Sequence, residues 1–294
     1  MHTNRYNGVT RRQSLRLVLG AAVGGAVLRG APVRANKPSS NPLVNRNNLK
    51  MKKDWHAIPF RNMVALGEST TAGGWSTSQQ RCWVSFLGQL INDFQSVPME
   101  VHNMGIGANV VSNQSPCYDH SGKPAANERL DQHVIAKKPD LLLISYGLND
   151  ARGGTPLDLF LRELVAILHR VRQEIQPLIV LLGPYYMTDF KLGGRPWSHA
   201  DLDLFRKFNE AIAQIAEGNT CLFVDVLQAS GETDWMVHYD GVHANDLGHR
   251  IVANRIFEVL AQRCSCLAAS TKEAEMTSPR WRDESTLRAT GTSE

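Results

Sequence analysis

Ser69 follows directly on the run Met63-Val64-Ala65-Leu66-Gly67-Glu68, so a hydroxyl stands where an apolar strand should end and a helix begin. Such a hydroxyl can attack a carbonyl carbon when a base within about 3 Å takes its proton. Far downstream, Asp240-Gly241-Val242-His243 sets an acid and an imidazole three residues apart in a turn. With an unperturbed pKa near ~6.5, an imidazole can accept that proton and return it to a leaving group at neutral pH. Asp240 would hold its tautomer, completing a relay in the chain order Ser, Asp, His. Between the two pieces, Gly147-Leu148-Asn149-Asp150 presents a side-chain amide behind another apolar run. Each piece alone also fits a helix cap or an Asx turn; their joint occurrence is what points to a hydrolase. No GxSxG surrounds Ser69, which argues against the other large esterase fold.

Strand-like and helix-like runs alternate along the chain and must position these residues. Strands are expected over 61–66, 101–106, 140–146, 178–182 and 221–226. Helices are expected over 81–94, 128–136, 155–175, 199–217 and 245–263, the first with Trp83, Phe86, Leu87, Leu90 and Ile91 at helical spacing. Asp140-Leu141-Leu142-Leu143-Ile144-Ser145-Tyr146 is almost continuously apolar, as a central strand covered on both faces should be. About five such alternations imply an α/β, three-layer, flavodoxin-like fold: a parallel sheet of about five strands with helices on both faces. Ligands of such sheets bind beyond the carboxyl ends of the strands, where Ser69, the 105–109 segment and Asn149 would gather with the Asp240/His243 turn.

Four blocks in this order resemble the SGNH hydrolases, also called GDSL esterases and lipases, across roughly 62–260. Gly67-Glu68-Ser69 is similar to the first block, with Glu where the family usually has Asp. Asn103-Met104-Gly105-Ile106-Gly107-Ala108-Asn109 resembles the second, Gly147-Leu148-Asn149-Asp150 the third and Asp240-Gly241-Val242-His243 the last. The resemblance implies a serine ester hydrolase acting through an acyl-enzyme, with Ser69 as nucleophile, His243 as base, Asp240 as its orienting acid and no cofactor or metal. It also implies an oxyanion hole built from the Ser69 N–H, a second-block N–H at Ala108 or Gly107, and the Asn149 amide. Ala108 occupies a place where the family usually has Gly.

Residues 1–35 read as an export signal of the twin-arginine type: Arg11-Arg12, an apolar stretch over 17–28, then Val33-Arg34-Ala35. The stretch is shorter than the ~20 residues of a membrane-spanning helix, so export to the periplasm or the exterior is expected, with no integral membrane segment in the mature protein. The segment contains six of the 32 basic residues and no acid, which leaves 26 basic against 28 acidic and a mature charge of −2. Nothing there suggests nucleic acid as a partner. A polar segment is expected over 36–59, a hydrolase domain over 60–266 and a disordered tail over 267–294. Five cysteines allow Cys117 to pair with Cys264 or Cys266, while Cys82 and Cys221 read as buried.

Trp75, Tyr146, Tyr185, Tyr186, Trp197 and Trp235 fall on loops near the expected catalytic edge, where they can line a cleft or pack the loops. The substrate expected is a small-molecule or polysaccharide ester, and the oligomeric state is open. Two other readings compete: a flavin carrier using the 69–74 loop as a phosphate cradle, and a non-catalytic carbohydrate-binding module on the same fold.

Overall fold

The computed structural model describes residues 53–278. Five parallel strands form β1 (Asn62–Gly67), β2 (Glu100–Gly105), β3 (Leu141–Ser145), β4 (Leu178–Leu182) and β5 (Leu222–Val224), in spatial order β2-β1-β3-β4-β5. Met63 lies beside both Val101 and Leu141, and Leu141 beside Leu178. The interior strands β3 and β4 are wholly buried, which is why their sequences do not alternate; the edge strand β2 is partly exposed.

The helices are α1 (Ser69–Ala72), α2 (Trp83–Phe94), α3 (Leu130–His133), α4 (Leu148–Arg152), α5 (Leu157–Glu174), α6 (Leu202–Gly218), α7 (Val226–Ala229), α8 (Asp246–Arg263) and α9 (Cys266–Thr277). The chain leaves β1 toward β2 on one side and, from β3, runs the other way through β4 to β5. Right-handed crossovers then put the connecting helices on opposite faces. Accordingly α2 packs with α8 and α9, and α5 packs with α6. The apolar stripe of α2 supplies Trp83, Leu87 and Ile91 to the core, while Phe160 of α5 meets Phe208 of α6 with ring centroids 5.0 Å apart. This is the three-layer α/β fold that the alternation of apolar runs implies.

Three expectations change. The helix expected over 128–136 is broken into α3 between two 3-10 turns, because Val134 (φ −124°, ψ −64°) leaves helical geometry with its side chain wholly buried. The disordered tail expected over 267–294 instead begins as α9. Its first residues, Cys266 and Leu267, are buried in the main core, and only these apolar residues fix it, so the segment shows no periodicity to read. Cys117 does not pair with Cys264 or Cys266. It packs with Val110 and Ala125 in a small separate cluster, the other two flank the α8–α9 junction, and all five cysteines are buried free thiols.

The same junction holds the start of the described chain: Trp55 N–H donates to Arg263 O (2.8 Å) and Ser265 Oγ to the Asp54 carboxylate. The export signal, most of the polar 36–59 segment and residues 279–294 lie outside the described residues. No helix among the described residues is long and apolar enough to cross a membrane. Deleting residues 266–294 is expected to cost about 2–3 kcal/mol through lost burial of Cys266 and Leu267. Urea unfolding measures it, and an unchanged midpoint would mean that α9 adds nothing to the fold.

Candidate active site

The chain turns from β1 into α1 within two residues, so Ser69 stands at the carboxyl edge of the sheet, at the β1/β3 switch point. His243 reaches it from 174 residues away, on a turn closed by the isolated antiparallel bridge Val237–Ala244 and by His238 N–H donating to His243 O (2.7 Å). Gly241 adopts φ +73° in this turn, and a Cβ there would lie 2.6 Å from that of Asp189, so the turn demands glycine. The resulting tight loop brings Asp240 against the imidazole. His243 Nε2 lies 2.8 Å from Ser69 Oγ, and Nδ1 lies 2.5 Å from Asp240 Oδ2. Asp240 Oδ1 also accepts the N–H groups of Val242 and His243, each at 3.1 Å.

Burial pushes the His243 imidazole below its ordinary pKa, against the hydrogen bond and charge of Asp240, which favour the protonated ring. Burial also opposes ionisation of Asp240. The hydrogen bonds from the His243 ring and from the two backbone N–H groups outweigh it and hold the carboxyl below the usual carboxylate range. At neutral pH the relay is therefore a neutral imidazole between a carboxylate and a hydroxyl, with Nδ1 protonated and Nε2 free to accept the serine proton. Gly74 packs on the other side of the ring, where a Cβ would lie 3.0 Å from His243 Cδ2. Its carbonyl accepts from Nε2 of the wholly buried His249, whose Nδ1 accepts the Trp83 N–H, so α8 supports the imidazole through a second histidine.

The remaining predicted residues assemble around Ser69 through buried hydrogen bonds. Glu68 is 1% exposed and its carboxyl oxygens accept the N–H groups of Leu148 (3.1 Å) and Asn149 (2.9 Å), the first two residues of α4. It caps that helix from a different strand, a role the sequence does not reveal. Asn149 Nδ2 donates to Asn109 O (3.1 Å), joining the third block to the second. Among the described residues, the N–H groups of Ser69, Gly107 and Ala108 have no hydrogen-bond acceptor within the protein.

Ala108 sits at φ +52° in a turn closed by Asn109 N–H donating to Ile106 O (3.3 Å). A turn with a left-handed third residue favours Gly there, and Ala bears the strain. Burial pushes Asp150, which accepts the Val111 N–H, up to about 7, and burial and the charge of Asp150 raise Glu68 well above the carboxylate range.

Sequence reasoning misses Arg129. Its buried guanidinium donates to Gly67 O (2.9 Å), Met104 O (2.5 Å), Asn109 Oδ1 (3.1 Å) and Tyr146 Oη (2.6 Å), tying the ends of β1 and β2 to the second block. A lone arginine before a short helix gives no cue to this. Of the six loop aromatics, Tyr146 and Tyr185 are buried, Tyr186 packs against the core, and Trp197 packs on the Cys117 cluster. Trp75 and Trp235 remain exposed.

An open parallel sheet with a Ser–His–Asp hydrogen-bond relay and free N–H groups at its switch point has the parts of an acyl-transfer enzyme. The model of the GDSL-like Lipase/Acylhydrolase family matches residues 65–251. An acetylxylan esterase from Geobacillus stearothermophilus is 28% identical over 182 residues, 57% of this chain and 74% of the relative. The crystal structure of an acetylxylan esterase from that organism superposes with a TM-score of 0.53 at 21% identity, covering 68% of this chain and 94% of the other. That of a lipase/acylhydrolase from Enterococcus faecalis does so with a TM-score of 0.55 at 19% identity, covering 69% and 96%.

The chain belongs to the GDSL-like lipase/acylhydrolase family. It is a carboxylic ester hydrolase. Ala108→Gly, by relieving the left-handed strain, is expected to stabilise the fold by about 0.5–1 kcal/mol. Denaturant unfolding checks it, and destabilisation would show that Ala108 is not strained.

Proposed function

We propose that this chain is an exported serine ester hydrolase in which Ser69, His243 and Asp240 form the catalytic triad. The observation that supports it most is the Ser69 Oγ–His243 Nε2–Asp240 alignment, which unites residues from opposite ends of the domain. In this reading His243 Nε2 takes the Ser69 proton as Oγ bonds to the ester carbonyl carbon. The carbonyl oxygen becomes an oxyanion, facing the N–H of Ser69, a second-block N–H at Ala108 or Gly107, and the Asn149 amide. Collapse of the tetrahedral intermediate breaks the C–O bond, and the imidazolium returns its proton to the departing alcohol. Water, deprotonated by the same imidazole, then cleaves the acyl-enzyme and restores Ser69.

The 1–35 segment supports export by the twin-arginine route to the periplasm or beyond. The acetylxylan esterase relative motivates a short acyl group, acetyl above all, as the group transferred. A flavin carrier is disfavoured, because residues Ser69–Ala72 are helical and the Ser69 hydroxyl is paired with an imidazole.

A fluorophosphonate probe is expected to label Ser69, and Ser69→Ala and His243→Ala to lower kcat on p-nitrophenyl acetate by about 10⁴-fold or more. Near-normal turnover in either variant would refute the triad. Neutral His243 is the active form and its pKa is depressed, so activity gained as pH rises should already be more than half complete at its ordinary value of about 6.5. An acid limb of kcat/KM centred above that value would contradict the assigned base.

A further inference from the structure

In the proposed reaction the leaving alcohol is protonated by His243, so it departs on the imidazole side of Ser69 and the oxyanion faces Asn149. What lies on the imidazole side is aromatic. Trp75 follows the glycine that touches the His243 ring and is held at φ +65°, 55% exposed. Its indole lies tilted by His243, ring centroids 6.2 Å apart, and is stacked on His238 at 4.6 Å and 12°. A bulky side chain in the left-handed region is strained, and such strain concentrates at functional sites. His238 in turn meets the fully exposed Tyr239 edge-on at 5.8 Å. Beyond it opens a cleft of about 540 Å³ lined by Thr188, Asp234, Trp235, His238, Tyr239 and Asn245, with Trp235 69% exposed.

Exposed indole and phenol groups thus run from beside the His243 ring into an open cleft edged by a hydroxyl, a carboxylate, an amide and an imidazole. A long alkyl chain calls for an enclosed apolar channel, and a polyanion for cations, whereas this cleft is lined by Asp234 and by no lysine or arginine. Flat apolar faces interleaved with hydrogen-bonding groups complement a pyranose ring, whose C–H faces stack while its hydroxyls donate and accept.

We propose that the strip Trp75–His238–Tyr239–Trp235 is a saccharide subsite, binding the neutral sugar residues next to the one that bears the ester. The assignment rests on His243 being the base that protonates the alcohol.

The test uses the full chain as the Ser69→Ala variant, titrated with xylohexaose, cellohexaose and chitohexaose and followed by calorimetry and tryptophan fluorescence. At least one oligosaccharide is expected to bind with a Kd of about 1 mM or below, and a further Trp235→Ala or Tyr239→Ala change to weaken it by about tenfold. Both side chains project into solvent, so neither truncation opens the core; circular dichroism confirms the fold. In the Ser69 background, the kcat/KM for the acetylated oligosaccharide, relative to p-nitrophenyl acetate, should fall by a similar factor. Absence of binding by all three sugars, or binding that ignores both truncations, overturns the subsite. So does a change in oligomeric state on truncation with sugar binding intact, which would make the strip an interface between copies. Failure of the triad itself shows separately, as aryl acetate hydrolysis that survives Ser69→Ala.

Discussion

A carboxyl group buried at the end of a strand needs partners for its oxygens, and Glu68 finds them in the first two N–H groups of α4. Helix N-termini leave such donors unpaired, so the contact satisfies the buried carboxyl oxygens and the helix start at once. Its consequence is positional. Glu68 precedes the proposed nucleophile, and one of its two donors is the N–H of Asn149, the residue whose amide is assigned to the oxyanion. The spacing between hydroxyl and amide is therefore set by one side chain crossing from β1 to the loop after β3.

Arg129 is the complementary device on the β2 side. Burying a guanidinium without a carboxylate hydrogen-bonded to it is costly unless its donors are used, and most of them go to Gly67 O, Met104 O, Asn109 and Tyr146. Two of these acceptors are carbonyls at the carboxyl ends of neighbouring parallel strands, and Gly67 O also accepts the Ile106 N–H (3.1 Å). The cation thus ties the ends of β1 and β2 together, and through Asn109 Oδ1 it holds the turn that presents Gly107 and Ala108. Among the described residues the Gly107 and Ala108 N–H groups have no acceptor while the atoms around them are bonded, as preorganised donors would require.

The sheet was legible in the sequence because buried parallel strands are continuous apolar runs, and 140–146 and 178–182 lie within a residue of the observed β3 and β4. The gathering of Ser69, Asn149 and the Asp240/His243 turn followed from strand topology and family resemblance together. The roles of Glu68, Arg129 and His249 were not legible, because each depends on partners far away in the chain: Arg129 reaches Gly67 across 62 positions and His249 reaches Gly74 across 175. α9 was missed for a related reason. Two apolar residues suffice to dock its first turn, too few to register as a period. The cysteines misled because Cys117 lies on a loop, which suggests a thiol available for pairing, whereas it packs in a small cluster of its own.

The imidazole is the site's most conditional element, and its support explains the order of the chain. Ser69 and Asn149 stand on loops between central strands, but His243 belongs to no strand and hangs on a two-residue bridge and the start of α8. His249, on the first turns of α8, bonds both Gly74 O and Trp83 N–H, so the helix carrying the histidine loop is pinned to the segment that follows Ser69. Asp246 adds a second pin from the same helix end, accepting from Thr77 N–H (2.8 Å) and Thr77 Oγ1 (2.6 Å). The distance between Oγ and Nε2 is thus regulated by contacts between 74–83 and 243–249, outside the strand ladder. Substitutions in that patch should act on the proposed base while leaving Glu68, Arg129 and the proposed oxyanion donors in place.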